Sequence, residues 1–143
     1  MSKDADILAR SIAEHLRESE GTAAVWGIKV EEARVGFTRL SMVLRQDMTN
    51  GYGTAHGGMI FALADTAFAY ACNSRNNATV AAGASIIYLA PAQVGDTLIA
   101  EAREEAHAGR SGAYTVSVTT SEGKVVANFQ GQSRTVGGAI LEN

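Results

Sequence analysis

The chain has 143 residues, 46% hydrophobic and 19% charged, which fits one soluble domain with a real core and excludes a disordered or membrane-embedded chain. The formal net charge is −3 and the 12 Lys and Arg residues form no basic stripe, so neither a nucleic-acid nor a membrane partner is expected. A single cysteine, Cys72, rules out an intramolecular disulfide and fits a reducing compartment.

From Asp4 to about Ser19, Leu8, Ile12 and Leu16 recur at spacing four among charged residues, which predicts an amphipathic helix ending at Gly21. Charges flank every short apolar run there, and no secretory signal core is visible, so a cytoplasmic protein is expected. Strands are predicted over Ile28–Ala33 and Phe37–Leu44, with Val35-Gly36 as the turn. RQDMTNGYGTAHGG has the composition of a loop, and MIFALADTAFAYACNSR, apolar on nearly every face, reads as a buried central helix. Four β-rich runs follow: TVAAGASIIYLAP, DTLIAEAREEAH, GAYTVSVTTS and KVVANFQGQSRTV. The turns Gly109-Arg110-Ser111-Gly112 and Ser121-Glu122-Gly123-Lys124 suit hairpins, and Pro91 is expected to bend or bulge the third strand. The order predicts an α+β fold, one long helix wrapped by an antiparallel sheet of five to six strands. Residues 1–143 form a single domain, with residues 1–21 as an N-terminal helical extension. A sheet of this size covers only part of its helix, which favours pairing with a second copy.

His56-Gly57-Gly58 lies where a loop enters the central helix. The first N–H groups of a helix lack intrahelical acceptors and sit at its positive end, and glycine lets a substrate approach that backbone. Such a place holds a phosphate or the oxyanion of an attacked carbonyl. Asp65 stands mid-helix among Leu63, Ala64, Ala67 and Phe68 with no nearby Lys or Arg. Its residues fit two readings equally: a carboxylate on a solvated stripe or capping a loop, or one whose burial raises its pKa for work as base or nucleophile. Gly57 and Asp65 are eight residues apart, about 12 Å along a helix, too far to touch one carbonyl. If both serve one site, Asp65 must come from a second subunit. Alone, Asn50 reads as a turn residue and His56 as a loop hydrogen-bonder. Cys72, Phe61, Phe68 and Tyr70 read as core, and no His, Cys or carboxylate spacing suggests a metal.

The segment N-G-x-G-x-x-H-G-G-x-I-F-x-L-A-D-T-A-F-A-Y-A-C-N-S resembles the signature of the phenylacetic-acid-degradation (PaaI-type) hotdog thioesterases. IIYLAPAQVGDTL, HAGRSGAY and GQSRTVGG are similar to the same family, so the resemblance spans about residues 20 to 140. It implies a hotdog fold and hydrolysis of aryl- or arylacetyl-CoA thioesters, phenylacetyl-CoA or hydroxyphenylacetyl-CoA foremost, by a homo-oligomer, usually a dimer of dimers. Asp65 would then be the general base or nucleophile, and Gly57 would hold the thioester oxygen through its N–H. Asn50 would orient the water or the facing carboxylate, and His56 would shape the loop and bond near the carbonyl. Gly58 and Thr66 would join the substrate-binding set. Coenzyme A enters as part of the substrate, with no separate cofactor. Its phosphates call for cations, for which Arg110 and Arg134 are candidates, with Ser111 and Gly112 as donors; a solvated surface role fits each arginine as well. A thiolate leaves readily, so no strong general acid is required. Benzoyl, hydroxybenzoyl or medium-chain acyl groups are alternative substrates. A hydratase would want a His base after Asp65, and a non-catalytic acyl-CoA sensor would lack Asp65.

Overall fold

The computed structural model describes residues 3–142. Helix α1 (Lys3–Ser19) buries Ala9, Ile12 and Ala13 along its apolar stripe. Gly21 does not stop the helical chain as expected; it opens a second short helix, α2 (Gly21–Trp26). The reason is local. Glu20 turns extended (φ −82°, ψ 124°), which ends α1 but leaves the next turn free to restart, and the left-handed glycine is Gly27 (φ 67°). The N–H groups of Gly27 and Ile28 close α2 on the carbonyls of Ala24 and Ala23.

Strands β1 (Lys29–Arg34) and β2 (Phe37–Val43) form a hairpin over the predicted turn. A 3-10 turn, Gln46–Met48, and a loop lead into α3 (Gly57–Cys72). The remaining strands are β3 (Thr79–Tyr88), β4 (Thr97–Ala108), β5 (Ser111–Thr120) and β6 (Val125–Thr135). All six form one antiparallel sheet in the order β1-β2-β4-β5-β6-β3. The sheet curls around α3, which is the hotdog architecture expected.

Alternation along the strands sends Leu98, Ala100, Ala102, Tyr114, Val116, Val118 and Phe129 against the helix and leaves Glu101, Ser117, Asn128 and Gln130 on the outer face. Phe68 of α3 fills the centre, between Tyr114 (ring centroids 5.4 Å apart) and Phe129 (5.8 Å). Its ring lies so close to β6 that a Cβ on Gly131 would meet it at 2.8 Å, so only glycine fits there. Asn73 fixes the far end of α3: its amide donates to the Ala69 carbonyl (2.8 Å) and accepts from the Thr79 N–H (2.9 Å) where β3 starts.

Pro91 does not bend β3. The strand ends at Tyr88, before the proline, and its irregularity lies between Ala81 and Gly83. A proline lacks the N–H a ladder needs, so the chain leaves the sheet ahead of it. β3 sits at the sheet edge with one side unpaired, and α3 packs more on β2, β4 and β5 than on β3 and β6. That asymmetry leaves one flank of the helix partly open: Phe61, Ala62, Asp65, Ala69 and Cys72 are only half-buried.

Candidate active site

The loop before α3 is built around Asn50. Its Oδ1 accepts from the N–H groups of Tyr52 (2.9 Å) and Thr54 (3.2 Å), while its Nδ2 donates to Thr54 Oγ1 (3.0 Å) and the Ala55 carbonyl (3.4 Å). Within one chain the amide is thus spent on the loop, the turn role its residue type suggests. The His56 N–H donates to the Met48 carbonyl (2.8 Å) and that of Ala55 to Ala92 (2.9 Å), which fixes where the helix begins.

His56 is the N-cap. Its Nδ1 accepts from the Gly58 N–H at 2.9 Å, so the neutral ring carries its proton on Nε2. Its carbonyl accepts from Met59 (2.9 Å) and Ile60 (3.2 Å). The Gly57 N–H alone is left over: it finds no acceptor among the described residues. Gly58 is exposed, but its N–H is occupied by the cap. Beside Gly57 lies a cavity of about 400 Å³, walled in part by Asn50, Thr54, Ile60, Tyr88 and Pro91. The helix end therefore offers one unspent donor, on a residue that borders open space.

Asp65 stands on the open flank. Burial pushes its carboxyl above the ordinary aspartate range, and no hydrogen bond or ion pair reaches it among the described residues. Such a carboxylate binds a proton more readily than a solvated one, a property a general base needs. Cys72, two turns further along the same flank, has its thiol pushed up to about 12 by burial, with the charge of Asp65 adding to the effect. Burial thus favours its neutral thiol over the nucleophilic thiolate.

Thr66 does not face the same space. It is buried, and its hydroxyl donates to the Ala62 carbonyl at 2.7 Å, one step round the helix from Asp65.

Ser111, Gly112 and Arg134 do come together, in a second cavity of about 360 Å³ where the β4–β5 hairpin meets β6. Arg134 Nη1 reaches Ser111 Oγ at 3.4 Å. Arg110 sits exposed at the hairpin turn beside them. His107 also lines this cavity, a residue that sequence alone placed only at a strand end. Along β3, Ala82 borders this cavity and Tyr88 the one at Gly57, six residues or about 20 Å away. Tyr88 is the second residue the sequence did not single out. It is 31 positions from Gly57, yet its phenol donates to the Gly57 carbonyl at 2.8 Å. Among the described residues no group of three or more His, Cys, Asp or Glu converges as a metal site would, and no helix is long and apolar enough to cross a membrane.

A central helix wrapped by a curled six-stranded antiparallel sheet is the hotdog fold, here that of a thioester hydrolase. Residues 52–127 match the Thioesterase superfamily, and the chain belongs to it. Over 128 residues it is 39% identical to the acyl-coenzyme A thioesterase PaaI of Escherichia coli K12, covering 90% of this chain and 91% of that one. The structure of the E. coli PaaI protein from the phenylacetic acid degradation operon superposes with a TM-score of 0.93 at 37% identity, covering 96% of this chain and 99% of the other. Within the superfamily the chain is a PaaI-type acyl-CoA thioesterase. The protein smu.793 of Streptococcus mutans, bound to acetyl CoA, is more distant: TM-score 0.75, 26% identity, covering 78% of this chain and 90% of that one.

Proposed function

We propose that this thioesterase hydrolyses aryl- or arylacetyl-CoA thioesters, phenylacetyl-CoA or hydroxyphenylacetyl-CoA foremost, to the free acid and CoA in the cytoplasmic catabolism of aromatic compounds. The E. coli relative of the phenylacetic acid degradation operon supports the acyl class, and the acetyl CoA of smu.793 supports the carrier. The observation that carries the mechanism is the pair of unspent groups on α3, the Gly57 N–H and the Asp65 carboxylate.

The two are about 12 Å apart on one helix, so one site must draw them from two subunits. The unpaired edge of β3, with Val80, Ile87, Tyr88 and Leu89 exposed, is the surface that a second copy would cover, giving a homodimer and, by pairing of dimers, a tetramer. Gly57 of one subunit polarises the thioester carbonyl. The Asp65 carboxylate of the facing subunit takes a proton from water as the water oxygen bonds to the acyl carbon, and Asn50 orients that water by giving up its long 3.4 Å contact to the Ala55 carbonyl. The negative charge that develops on the carbonyl oxygen is held by the Gly57 N–H, and collapse expels the CoA thiolate, which takes up the proton. His56 keeps the helix start in place, Gly58 lets the acyl group lie close to it, and Arg110, Ser111, Gly112 and Arg134 receive the CoA phosphates.

The test is steady-state hydrolysis of phenylacetyl-CoA, benzoyl-CoA and medium-chain acyl-CoAs by the wild type and Asp65→Asn. Preference for the arylacetyl thioester, abolished in the variant, is the expected result; binding without turnover by the wild type would favour a sensor. Shared sites have their own test. A hybrid of Gly57→Val and Asp65→Asn chains has one intact and one doubly defective site, so mixing two dead variants should restore activity toward about half of wild type in the hybrid.

A further inference from the structure

We infer that Tyr88 is a positioning residue for the hydrolysis, holding the one free amide of the helix start in its working direction. The inference rests on the role proposed for Gly57. Glycine at position 57 lets the thioester reach the backbone, but glycine is also the residue whose backbone is least constrained. An amide that must point at a developing oxyanion gains from being fixed before the substrate arrives.

The structure supplies that fixation from outside the loop. The peptide unit joining Gly57 to Gly58 is gripped at both ends: its N–H donates to His56 Nδ1 (2.9 Å) and its carbonyl accepts from the Tyr88 phenol (2.8 Å). The preceding unit, which carries the free N–H, is held by the Met59 and Ile60 amides on the His56 carbonyl. With both flanking peptide planes tied, rotation about the Gly57 Cα bonds would break a hydrogen bond in either direction. The Tyr88 ring adds a steric stop. A Cβ on Gly57 would lie 3.0 Å from Cζ and 3.1 Å from Oη, so the ring already rests against the glycine. Tyr88 and Gly57 border the same cavity, and half of the Tyr88 surface is exposed. Tyr88 touches the backbone of the donor and acts through it.

Tyr88→Phe keeps the ring and removes the hydroxyl. Its kcat on the best acyl-CoA should fall about three- to tenfold, the worth of one net hydrogen bond, with KM within about twofold of wild type. The pH midpoint of kcat/KM should not move, because Asp65 is untouched. Tyr88→Leu, which also removes the wall, should lose at least as much kcat and raise KM. Thermal melting and sedimentation of both variants read their fold and their subunit association separately, and a loss that tracks dissociation counts against the inference. A Tyr88→Phe enzyme with wild-type kcat overturns the inference, as does a loss that merely tracks the fraction of protein unfolded. A wild type without turnover, or Asp65→Asn at full rate, would bring down the proposed function and this inference together. An active wild type, a dead Asp65→Asn and an unaffected Tyr88→Phe would remove Tyr88 alone.

Discussion

The first turn of α3 and its middle, about two turns apart, are organised in opposite ways. At the first turn nearly every polar group is tied: Asn50 within its loop, His56 to Gly58, the His56 carbonyl to Met59 and Ile60, the Gly57 carbonyl to Tyr88. At the middle, Asp65 is partly desolvated and makes no hydrogen bond or ion pair among the described residues. Elsewhere in the molecule carboxylates are well supplied; Glu104 takes both guanidinium nitrogens of Arg75 at 2.9 and 2.7 Å and the Tyr114 hydroxyl at 3.3 Å, which holds it below the usual range. On the proposed mechanism, the contrast separates a rigid electrostatic device from a reactive group. A donor works by being immobile before the reaction, and a base works by being poorly satisfied until it takes its proton.

Asp65→Asn should break this contrast most severely. The amide keeps the shape and cannot accept the proton, so kcat should fall by about a thousandfold or more while the oligomeric state in sedimentation matches that of the wild type. Stability should move the other way. A carboxyl whose folded-state pKa lies above its unfolded value costs nothing at acid pH, where both states are protonated. Its cost grows as pH rises from the unfolded value through the folded one and is complete above it. The variant should therefore melt at or above the wild-type temperature near neutral pH, with the gain vanishing in acid. In the wild type, kcat/KM should climb with pH along a single-proton limb whose midpoint lies above the ordinary aspartate value. A pH-independent rate would assign the reaction to another group.

Gly57→Ala attacks the other half of the contrast. The added methyl would press on the Tyr88 ring at 3.0 Å and 3.1 Å, in a segment with no slack because its peptides are tied on both sides. The N–H survives but is displaced and partly shielded, so a loss of about ten- to a hundredfold in kcat is expected, less than deleting an oxyanion donor outright. A rate near that of wild type would show that the oxygen is held elsewhere.

What the sequence disclosed follows the range of the interactions involved. The central helix, the hairpin turns and the alternating strands come from periodicities and turn residues a few positions apart, and these were legible. So was the separation of Gly57 from Asp65, which needs only the rise of a helix. The restart of helix at Gly21 was not, because Gly27 rather than Gly21 carries the left-handed turn. Neither was the end of β3 ahead of Pro91, nor its place beside β6, since strand order is set by how the sheet closes over the helix. The burial of Thr66 and its bond to the Ala62 carbonyl follow from helical phase, which the motif around it does not display. Tyr88 was invisible for a simpler reason. Nothing within its own strand signals a bond to a carbonyl 31 residues away.

The smallest effect expected is also the one that best resolves what rigidity contributes. His56→Ala leaves the Gly58 N–H without its cap, which should cost about 1 kcal/mol and a few degrees of melting temperature. The Gly57 donor loses one of its supports but keeps the Tyr88 bond, so kcat should fall only a few-fold. His56→Asn restores a short side chain able to accept from the helix start, and it should recover both the stability and most of the rate. Recovery of stability without rate would mean that the imidazole itself, through Nε2, meets the thioester, and the donor end would then contain two working groups instead of one. Recovery of both would place the whole contribution of His56 in geometry. Tyr88 and His56 would in that case be equivalent devices, gripping opposite ends of one peptide unit so that the neighbouring N–H stays still.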